Sequence, residues 1–157
     1  MPKSADAVAP NAGSSAPAPA LSDDLSFLLA RANAISLAAG NAALAAHGLK
    51  ARSYSVLLLT TDDARPSQRE IAEFLRLDPS QVVSLVDDLQ SRGLVERRTD
   101  PADRRANVVV ATDAGRRLAA VARESARDAE EHVHGQLTTD ERQTLTALLR
   151  VLAFPEA

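Results

Sequence analysis

The chain has 157 residues, of which 45% are hydrophobic and only 3% aromatic. That is enough for one compact domain whose core must be filled by Leu, Val and Ala. It contains no cysteine, which excludes a disulfide framework, a thiolate metal site and a cysteine redox sensor. The formal charge of −3 does not favour a nucleic-acid binder, but the distribution of charge says more than its sum.

The first 21 residues are rich in Ala, Pro, Ser and Gly. They predict a disordered tail, because such a segment buries too little apolar surface to offset its ordering entropy. No uninterrupted apolar run approaches 18 residues, so no membrane span is expected. The beginning lacks a basic start followed by an apolar block, so no secretory signal is expected either. These features predict a cytoplasmic protein.

A long helix rich in Ala and Leu is predicted from about Ser22 to His47. Ser22 is a candidate N-cap, and Asp23 and Asp24 favour the positive end of the helix. A second helix is expected over about residues 51–61.

Two short helices with clear start signals follow. Ser67 to Glu70 reads as a capping box, with Ile71, Ala72, Phe74 and Leu75 as apolar positions. Asp78 to Gln81 combines an Asp cap, a proline at the first helical position and a glutamine at the third. Only two or three residues separate the two helices, so they must cross steeply, as in a helix-turn-helix.

The second of these helices has one apolar and one polar face. The predicted buried residues, at spacings of three and four, are Val82, Leu85, Val86 and Leu89. Gly93 ends the helix, and residues 94–99 and 107–111 then read as two strands around a polar connection. This order predicts a mainly α fold, a winged helix-turn-helix with a two-stranded β wing.

Two further helices are predicted after the wing. One begins at Thr112 and reaches about Val133. Another capping box, Thr138 to Glu141, opens the last helix. An apolar stripe runs along that helix: Leu145, Leu148, Leu149 and Leu152.

Three segments around the predicted wing carry a specific pattern. They are Gly93-Leu94-Val95-Glu96-Arg97-Arg98, Asp100-Pro101-Ala102-Asp103-Arg104-Arg105 and Ala111-Thr112-Asp113-Ala114-Gly115. A strand that runs into Asp-Arg-Arg, followed by this helix start, closely resembles the MarR family of transcription regulators. The resemblance covers about residues 22–154.

The resemblance implies a triangular homodimer that binds a near-palindromic operator in double-stranded DNA. The winged helix would span about residues 50–111. The terminal helices, at about 22–47 and 112–154, would form the dimerisation region, with the stripe of leucines in the dimer interface. Many members of the family are repressors that release DNA when a phenolic or other aromatic acid binds.

Candidate base-reading residues lie near the start of the second helix of the helix-turn-helix: Ser80, Gln81, Val83 and Ser84. Gln pairs bidentately with adenine, and Val83 suits a thymine methyl group. The helix N-terminus suits a phosphate. Family members usually carry Arg or Lys near the positions of Ser84 and Asp88, whereas residues 80–91 contain no basic residue here.

The wing must therefore supply most of the positive charge. Residues 92–105 contain five arginines against three carboxylates. The resemblance implies that Arg105 enters the minor groove, with Asp103 holding its guanidinium in place. Arg97, Arg98 and Arg104 are better suited to phosphates.

Arg31 lies in an apolar stretch of the first predicted helix. Its guanidinium matches a carboxylate in a bidentate fork, so Arg31 is a candidate clamp for a small aromatic carboxylate. His47 and Tyr54 are weaker candidates for the same ligand site. A salt bridge at the dimer interface or a snorkelling side chain is the alternative for Arg31.

No catalytic constellation, phosphate-cradling glycine loop or cofactor motif is visible, so the protein is not expected to be an enzyme or to need a cofactor. His132 and His134 form an isolated His-x-His pair, which predicts a solvated helix end and no metal site. One alternative function stays open. This alternative is a winged-helix protein-interaction module that does not bind DNA. It would fit the net negative charge of the chain and the lack of basic residues on the second helix of the helix-turn-helix.

Overall fold

The computed structural model describes residues 21–100 and 106–155, and within them the fold is mainly helical. The elements are α1 (Leu25–Ala45), α2 (Ala51–Leu59), α3 (Gln68–Leu75), α4 (Pro79–Ser91), β1 (Val95–Thr99), β2 (Asn107–Ala111), α5 (Asp113–His134) and α6 (Thr139–Ala153). This order confirms the predicted winged helix-turn-helix. The predicted tail, up to residue 20, and the wing residues Asp103, Arg104 and Arg105 lie outside the described residues.

The chain divides into two compact units, residues 1–33 and 34–157. In the first, the Oδ1 atom of Asp24 accepts a hydrogen bond from the backbone N–H of Phe27 at 2.7 Å. Asp24, rather than the predicted Ser22, therefore caps the start of α1, because its carboxylate reaches the third N–H group of the helix. In the second, the rest of α1 is followed by Gly48, whose φ of +64° turns the chain toward α2.

Helix α1 bears on the expectation that the chain contains no membrane span. Among the described residues it is the one helix that is long and apolar enough, by length and composition, to cross a membrane. The helix contains no long uninterrupted apolar run, because Arg31 and several small polar residues interrupt it without lowering its mean hydropathy much. A single helix of this kind near the N-terminus is weak evidence for a membrane, since the core helix of a soluble protein passes the same test.

The core of the second unit lies between α2, α3, α4, the wing and the start of α5. Its largest fully buried side chains are Leu44, Leu57, Ile71, Leu89, Val56, Val82, Val86, Val95 and Val109, with Thr60. Three of the four residues predicted as the buried face of α4 belong to this core, and Leu85 is half-buried. Phe74 is exposed instead, with its ring centroid 5.7 Å from that of Phe154.

The wing is an antiparallel hairpin in which Val95 pairs with Ala111. Strand β2 is also anchored along its other edge. The N–H of Val109 donates to the carbonyl of Pro66 at 2.8 Å, and the N–H of Ala111 donates to the carbonyl of Thr60 at 2.9 Å. The base of the hairpin is thus fixed to the segment between α2 and α3.

Gly93 ends α4 in the left-handed conformation, with φ +68°. Its N–H donates to the carbonyl of Gln90 at 2.9 Å, and the N–H of Leu94 donates to the carbonyl of Leu89 at 2.9 Å. These bonds satisfy carbonyls in the last turn of the helix, as in a Schellman motif. Because β1 follows within two residues, the end of α4 and the wing are positioned together.

Candidate functional site

The polar face of α4 that the sequence predicts to read bases is exposed, and the four candidates Ser80, Gln81, Val83 and Ser84 lie together at its start. Two of them also take part in the helix cap. The Oδ1 atom of Asp78 accepts from the N–H of Ser80 at 2.8 Å and from its hydroxyl at 2.5 Å. The Oε1 atom of Gln81 accepts from the N–H of Asp78 at 3.4 Å. The amide nitrogen of Gln81 makes no hydrogen bond with any described residue.

The carboxylate of Asp78 occupies the positive end of α4. Hydrogen bonds from the side chain and then the backbone of Ser80 lower the pKa of Asp78 below its ordinary value, so the carboxylate is ionised at neutral pH. It takes the N–H group that a phosphate would use and repels a phosphate by its charge. A phosphate at the start of α4 stays a prediction, and it would have to share this end of the helix with the Asp78 carboxylate.

Arg97 of β1 links the wing to both helices of the helix-turn-helix. Its guanidinium donates to the Oδ1 atom of Asp87 at 2.6 Å, to the Oε1 atom of Gln68 at 2.8 Å and to the Oε1 atom of Gln90 at 3.2 Å. The side chain is only 27% exposed. Arg97 thus holds α3, α4 and β1 in one arrangement. This role differs from the phosphate contact expected from the sequence, which nothing in the described residues tests.

The same contacts change the electrostatics of α4. Asp87 pairs with Arg97, and Asp88 pairs with Arg92 at 3.4 Å. The carboxylates of Asp87 and Asp88 on α4 are therefore partly neutralised from within the protein. Sequence reasoning missed Gln68 and Gln90 as partners of Arg97, since their separation along the chain, 29 and 7 residues, follows no helical or strand period.

Arg98 differs from Arg97 in its exposure. Its side chain is 61% exposed and pairs with the carboxylate of Glu96. An exposed pair of this kind contributes little to stability and exchanges readily for another anion. Arg98 therefore remains suited to the predicted phosphate contact. Asp103, Arg104 and Arg105 are not among the described residues.

Of the three candidate ligand residues, one lies in the first unit and two lie in the second. Arg31 is exposed on the part of α1 that belongs to the first unit, and it makes no hydrogen bond or ion pair with any described residue. In the second unit, the Nε2 atom of His47 lies 2.8 Å from the hydroxyl of Ser125, which ties the end of α1 to α5. Tyr54 is half-buried against the core.

The remaining histidines do not gather ligands for a metal ion. His134 lies 3.3 Å from the hydroxyl of Ser36, and His132 is exposed. Within residues 21–100 and 106–155, no group of three or more His, Asp or Glu residues is placed to hold a metal ion.

Helix α6 buries none of its residues in the single chain. The four leucines of the predicted stripe are exposed: Leu145 by 39%, Leu148 by 60%, Leu149 by 38% and Leu152 by 58%. A continuous apolar surface of this kind is typical of an interaction site.

Comparison with known proteins gives consistent results. Residues 47–106 match the model of the MarR family. The chain is similar to a transcriptional regulator of the MarR family from Rhodococcus sp. RHA1, with 40% identity and a TM-score of 0.82 over 87% of this chain and 99% of that one. It is also similar to CouR from Rhodococcus jostii RHA1 bound to p-coumaroyl-CoA, with 42% identity and a TM-score of 0.81 over 88% and 97% of the two chains. A transcriptional repressor CouR bound to a 23-mer DNA duplex gives 31% identity and a TM-score of 0.78 over 85% and 94%.

Two sequence relatives match over a shorter stretch. They are a regulatory protein for the hcr operon of Thauera aromatica, 29% identical over 99 residues, and the HTH-type transcriptional repressor NicR of Pseudomonas putida, 31% identical over 97 residues. These alignments cover 63% and 62% of this chain and 60% and 61% of the relatives, so the chain spans less than two thirds of their length. The wing motif, the winged-helix fold and the similarity over nearly the whole length of solved regulators agree. The chain belongs to the MarR family of transcription regulators.

Proposed function

We propose that this protein is a cytoplasmic, homodimeric repressor that binds a near-palindromic operator in double-stranded DNA. The observation that carries this proposal is the set of hydrogen bonds that connects α4 to the wing. Arg97 fixes the exposed start of α4 relative to β1 through Asp87 and Gln90. A recognition helix and a wing held in one arrangement can engage the major and minor grooves together. The similarity to a repressor bound to a DNA duplex supports the same function.

The exposed face of α4 lacks basic residues, and the chain has a formal charge of −3. Both features favour the alternative, a protein-interaction module. The internal pairing of Asp87 and Asp88 with arginines weakens that argument, because it reduces the repulsion between α4 and DNA. The wing then supplies the phosphate contacts through Arg98 and Arg104, and Arg105 enters the minor groove.

The test is selection of duplexes from a randomised library, followed by mobility-shift titration at two salt concentrations. A specific operator should emerge, and its affinity should fall steeply with salt as counterions are released. Arg105→Ala should flatten the preference for A·T pairs outside the half-sites, whereas Gln81→Ala should relax the preference inside them. If no duplex is enriched, the protein-interaction module becomes the better proposal.

The apolar face of α6 supports the proposed homodimer. Leu148 and Leu152 expose more than half of their side chains, and a second copy offers the same face. A two-fold axis lets one such surface cover itself, which is the usual arrangement in homodimers. Two recognition helices related by that axis would read the two half-sites of a near-palindromic operator.

We propose further that a small aromatic acid, free or as its CoA thioester, releases the operator. Arg31 is the candidate clamp because its guanidinium has no partner among the described residues. Tyr54 and His47, which belong to the second unit, are separate candidates for contact with such a ligand. A thioester lacks the free carboxylate, so titration with p-coumarate and with p-coumaroyl-CoA distinguishes the two forms. Release of labelled operator by neither compound would remove this effector class.

A further inference from the structure

Arg76 is the one basic residue between positions 70 and 91, a range that runs from the first turn of α3 to the end of α4. The same range contains five carboxylates: Glu70, Glu73, Asp78, Asp87 and Asp88. A DNA duplex that approaches this part of the helix-turn-helix meets a single positive side chain. The surroundings of Arg76 therefore decide whether that charge is available to DNA.

Each of the five carboxylates already has another partner within the protein. Three form salt bridges with other arginines: Glu73 with Arg69, Asp87 with Arg97 and Asp88 with Arg92. Two accept hydrogen bonds in helix caps: Glu70 from Ser67 and Asp78 from Ser80. Arg76 itself is exposed, and its guanidinium makes no hydrogen bond or salt bridge with any described residue. Its charge is thus available to an outside anion.

The backbone of Arg76 has a conformation that a side chain disfavours. Arg76 ends α3 in the left-handed region, with φ +52°, and the N–H of Leu77 donates to the carbonyl of Ala72 at 3.0 Å. At the ends of α1 and α4 this conformation is taken by Gly48 and Gly93, because glycine has no Cβ atom to oppose it. The fold alone would favour glycine after α3 as well, and a strained residue of this kind points to a function for its side chain.

The other described non-glycine residue with a positive φ is also an arginine. Arg65 has φ +43° and lies before α3, at the end opposite to Arg76. It lines a groove together with Glu70 and Glu73, so nearby carboxylates compensate its charge. Arg65 therefore matches Arg76 in backbone and charge but differs in its surroundings, which makes it a useful control.

Arg76 lies next to the residues that are predicted to read bases. Asp78, the cap of α4, follows it by two positions, so their Cα atoms are at most about 7.6 Å apart. Ser80 and Gln81 belong to the first turn of α4. In a helix-turn-helix this end of the second helix approaches the base edges. The Asp78 carboxylate repels the phosphates nearby, and a guanidinium beside it supplies the cationic donor that α4 lacks.

We propose that Arg76 binds a DNA phosphate beside the bases that α4 reads and so fixes the start of α4 in the major groove. Phosphate contacts position a protein on the duplex, whereas base contacts specify the sequence. A guanidinium suits this role because it donates two parallel hydrogen bonds to a phosphate. The proposal rests on the proposed operator binding and adds a residue outside both the wing and the polar face of α4. An acidic protein surface has complementary charge too, but the position beside Ser80 and Gln81 favours DNA.

The experiment compares Arg76→Gly with the wild type by urea denaturation and by mobility-shift titration of operator at several salt concentrations. Glycine relieves the left-handed conformation, so the variant should unfold at a urea concentration at least as high as the wild type does. It should bind operator about ten-fold more weakly. The slope of log K against log salt should become shallower by about 0.9 for each copy that contacts DNA. The base preference should stay the same, because a phosphate carries no sequence information.

Two further variants separate a contact from a general effect of charge. Arg76→Lys keeps the cation and should keep the salt slope. Arg65→Gly removes the same charge and relieves the same backbone conformation, yet it should bind operator with the slope of the wild type. Equal loss of slope in Arg65→Gly and Arg76→Gly would assign the effect to the net charge of the domain and overturn the proposal.

One result would overturn the contact and leave the proposed function standing: an Arg76→Gly variant that binds operator with the affinity and slope of the wild type. If the wild type selects no duplex from the library, the proposed function itself fails, and the contact at Arg76 fails with it.

Discussion

Thr112 and Gly115 hold the start of α5 against the turn between α4 and β1. The hydroxyl of Thr112 donates to the carbonyl of Gly93 at 2.6 Å and accepts from the N–H of Gly115 at 3.1 Å. A Cβ atom on Gly115 would lie 2.0 Å from the carbonyl oxygen of Leu94. The absence of a side chain at this position is therefore what allows the helix to approach the wing so closely.

Gly115→Ala should lower the free energy of unfolding by about 1–3 kcal/mol, since backbone must move to relieve the contact. Urea denaturation at a fixed protein concentration measures it. Gly40→Ala is the matched control, because nothing lies within 4 Å of its added Cβ and alanine favours a helix interior by up to about 1 kcal/mol. Equal effects of the two substitutions would contradict the close approach at Gly115.

Arg97 and Arg98 are adjacent in β1, yet we expect them to affect operator binding differently. Arg98 is exposed, so Arg98→Ala should make the slope of log K against log salt shallower by about 0.9, the effect of one lost phosphate contact. Arg97→Ala should weaken binding with little change in slope, because it releases α4 from the wing and leaves Asp87 without its partner. Equal loss of slope in both variants would mean that Arg97 contacts a phosphate instead.

Arg31 gives a third prediction for single side chains. If it clamps a carboxylate, an aromatic acid at a hundred times its dissociation constant should add about 2.7 kcal/mol of stability per site, visible as a thermal shift. Arg31→Ala should keep the fold and operator binding but lose that shift and the release of DNA. Arg31→Lys should lose most of both, because an ammonium lacks the planar fork. If Arg31→Ala instead weakens the dimer and no acid shifts the wild type, Arg31 is an interface residue.

At the scale of single elements, the local start signals of the helices were the most predictable feature. Ser67 with Glu70 and Thr138 with Glu141 form the capping boxes that the sequence indicates, and Asp78 caps α4. These motifs act over three residues, so the sequence contains all their parts. Phe74 was not predictable in the same way, because its environment depends on Phe154, the residue that follows α6.

The two capping boxes predict a dependence of stability on pH. The carboxylates of Glu70 and Glu141 accept the N–H groups of Ser67 and Thr138 at 2.7 and 2.8 Å. These backbone bonds, followed by bonds from the hydroxyls, lower the pKa of each glutamate below its ordinary value of 4.5. Their contribution to stability is thus present above pH 4.5 and is lost as the pH falls through the lowered folded-state values.

We therefore expect Glu70→Gln/Glu141→Gln to be less stable than the wild type at neutral pH and to lose less stability on acidification. Urea midpoints measured from neutral pH to below 4.5 test this. Glu130→Gln, an exposed position on α5, is the control for loss of one carboxylate. Parallel pH profiles for the wild type and the double variant would contradict the role of the boxes.

At the scale of the whole molecule, the order of elements followed from the sequence but the connections between them did not. The helix-turn-helix and wing were predictable because each element has its own period and its own start and stop residues. The network around Arg97 joins residues from three elements. Such groups form only when distant parts of the chain pack together, so no local pattern identifies them.

The proposed dimer is the property of the whole molecule on which operator binding is expected to depend. Leu148 and Leu149 are 60% and 38% exposed in the single chain, so glutamate at both positions should leave the fold of one copy intact. Between two copies the same charges would be buried without partners, which costs several kcal/mol. Leu148→Glu/Leu149→Glu should therefore sediment as a monomer at concentrations where the wild type is a dimer. It should also lose most of its affinity for a two-half-site operator. Gln143→Glu adds a charge elsewhere on α6 and should remain dimeric. A double variant that stays dimeric and binds operator would place the interface away from this stripe.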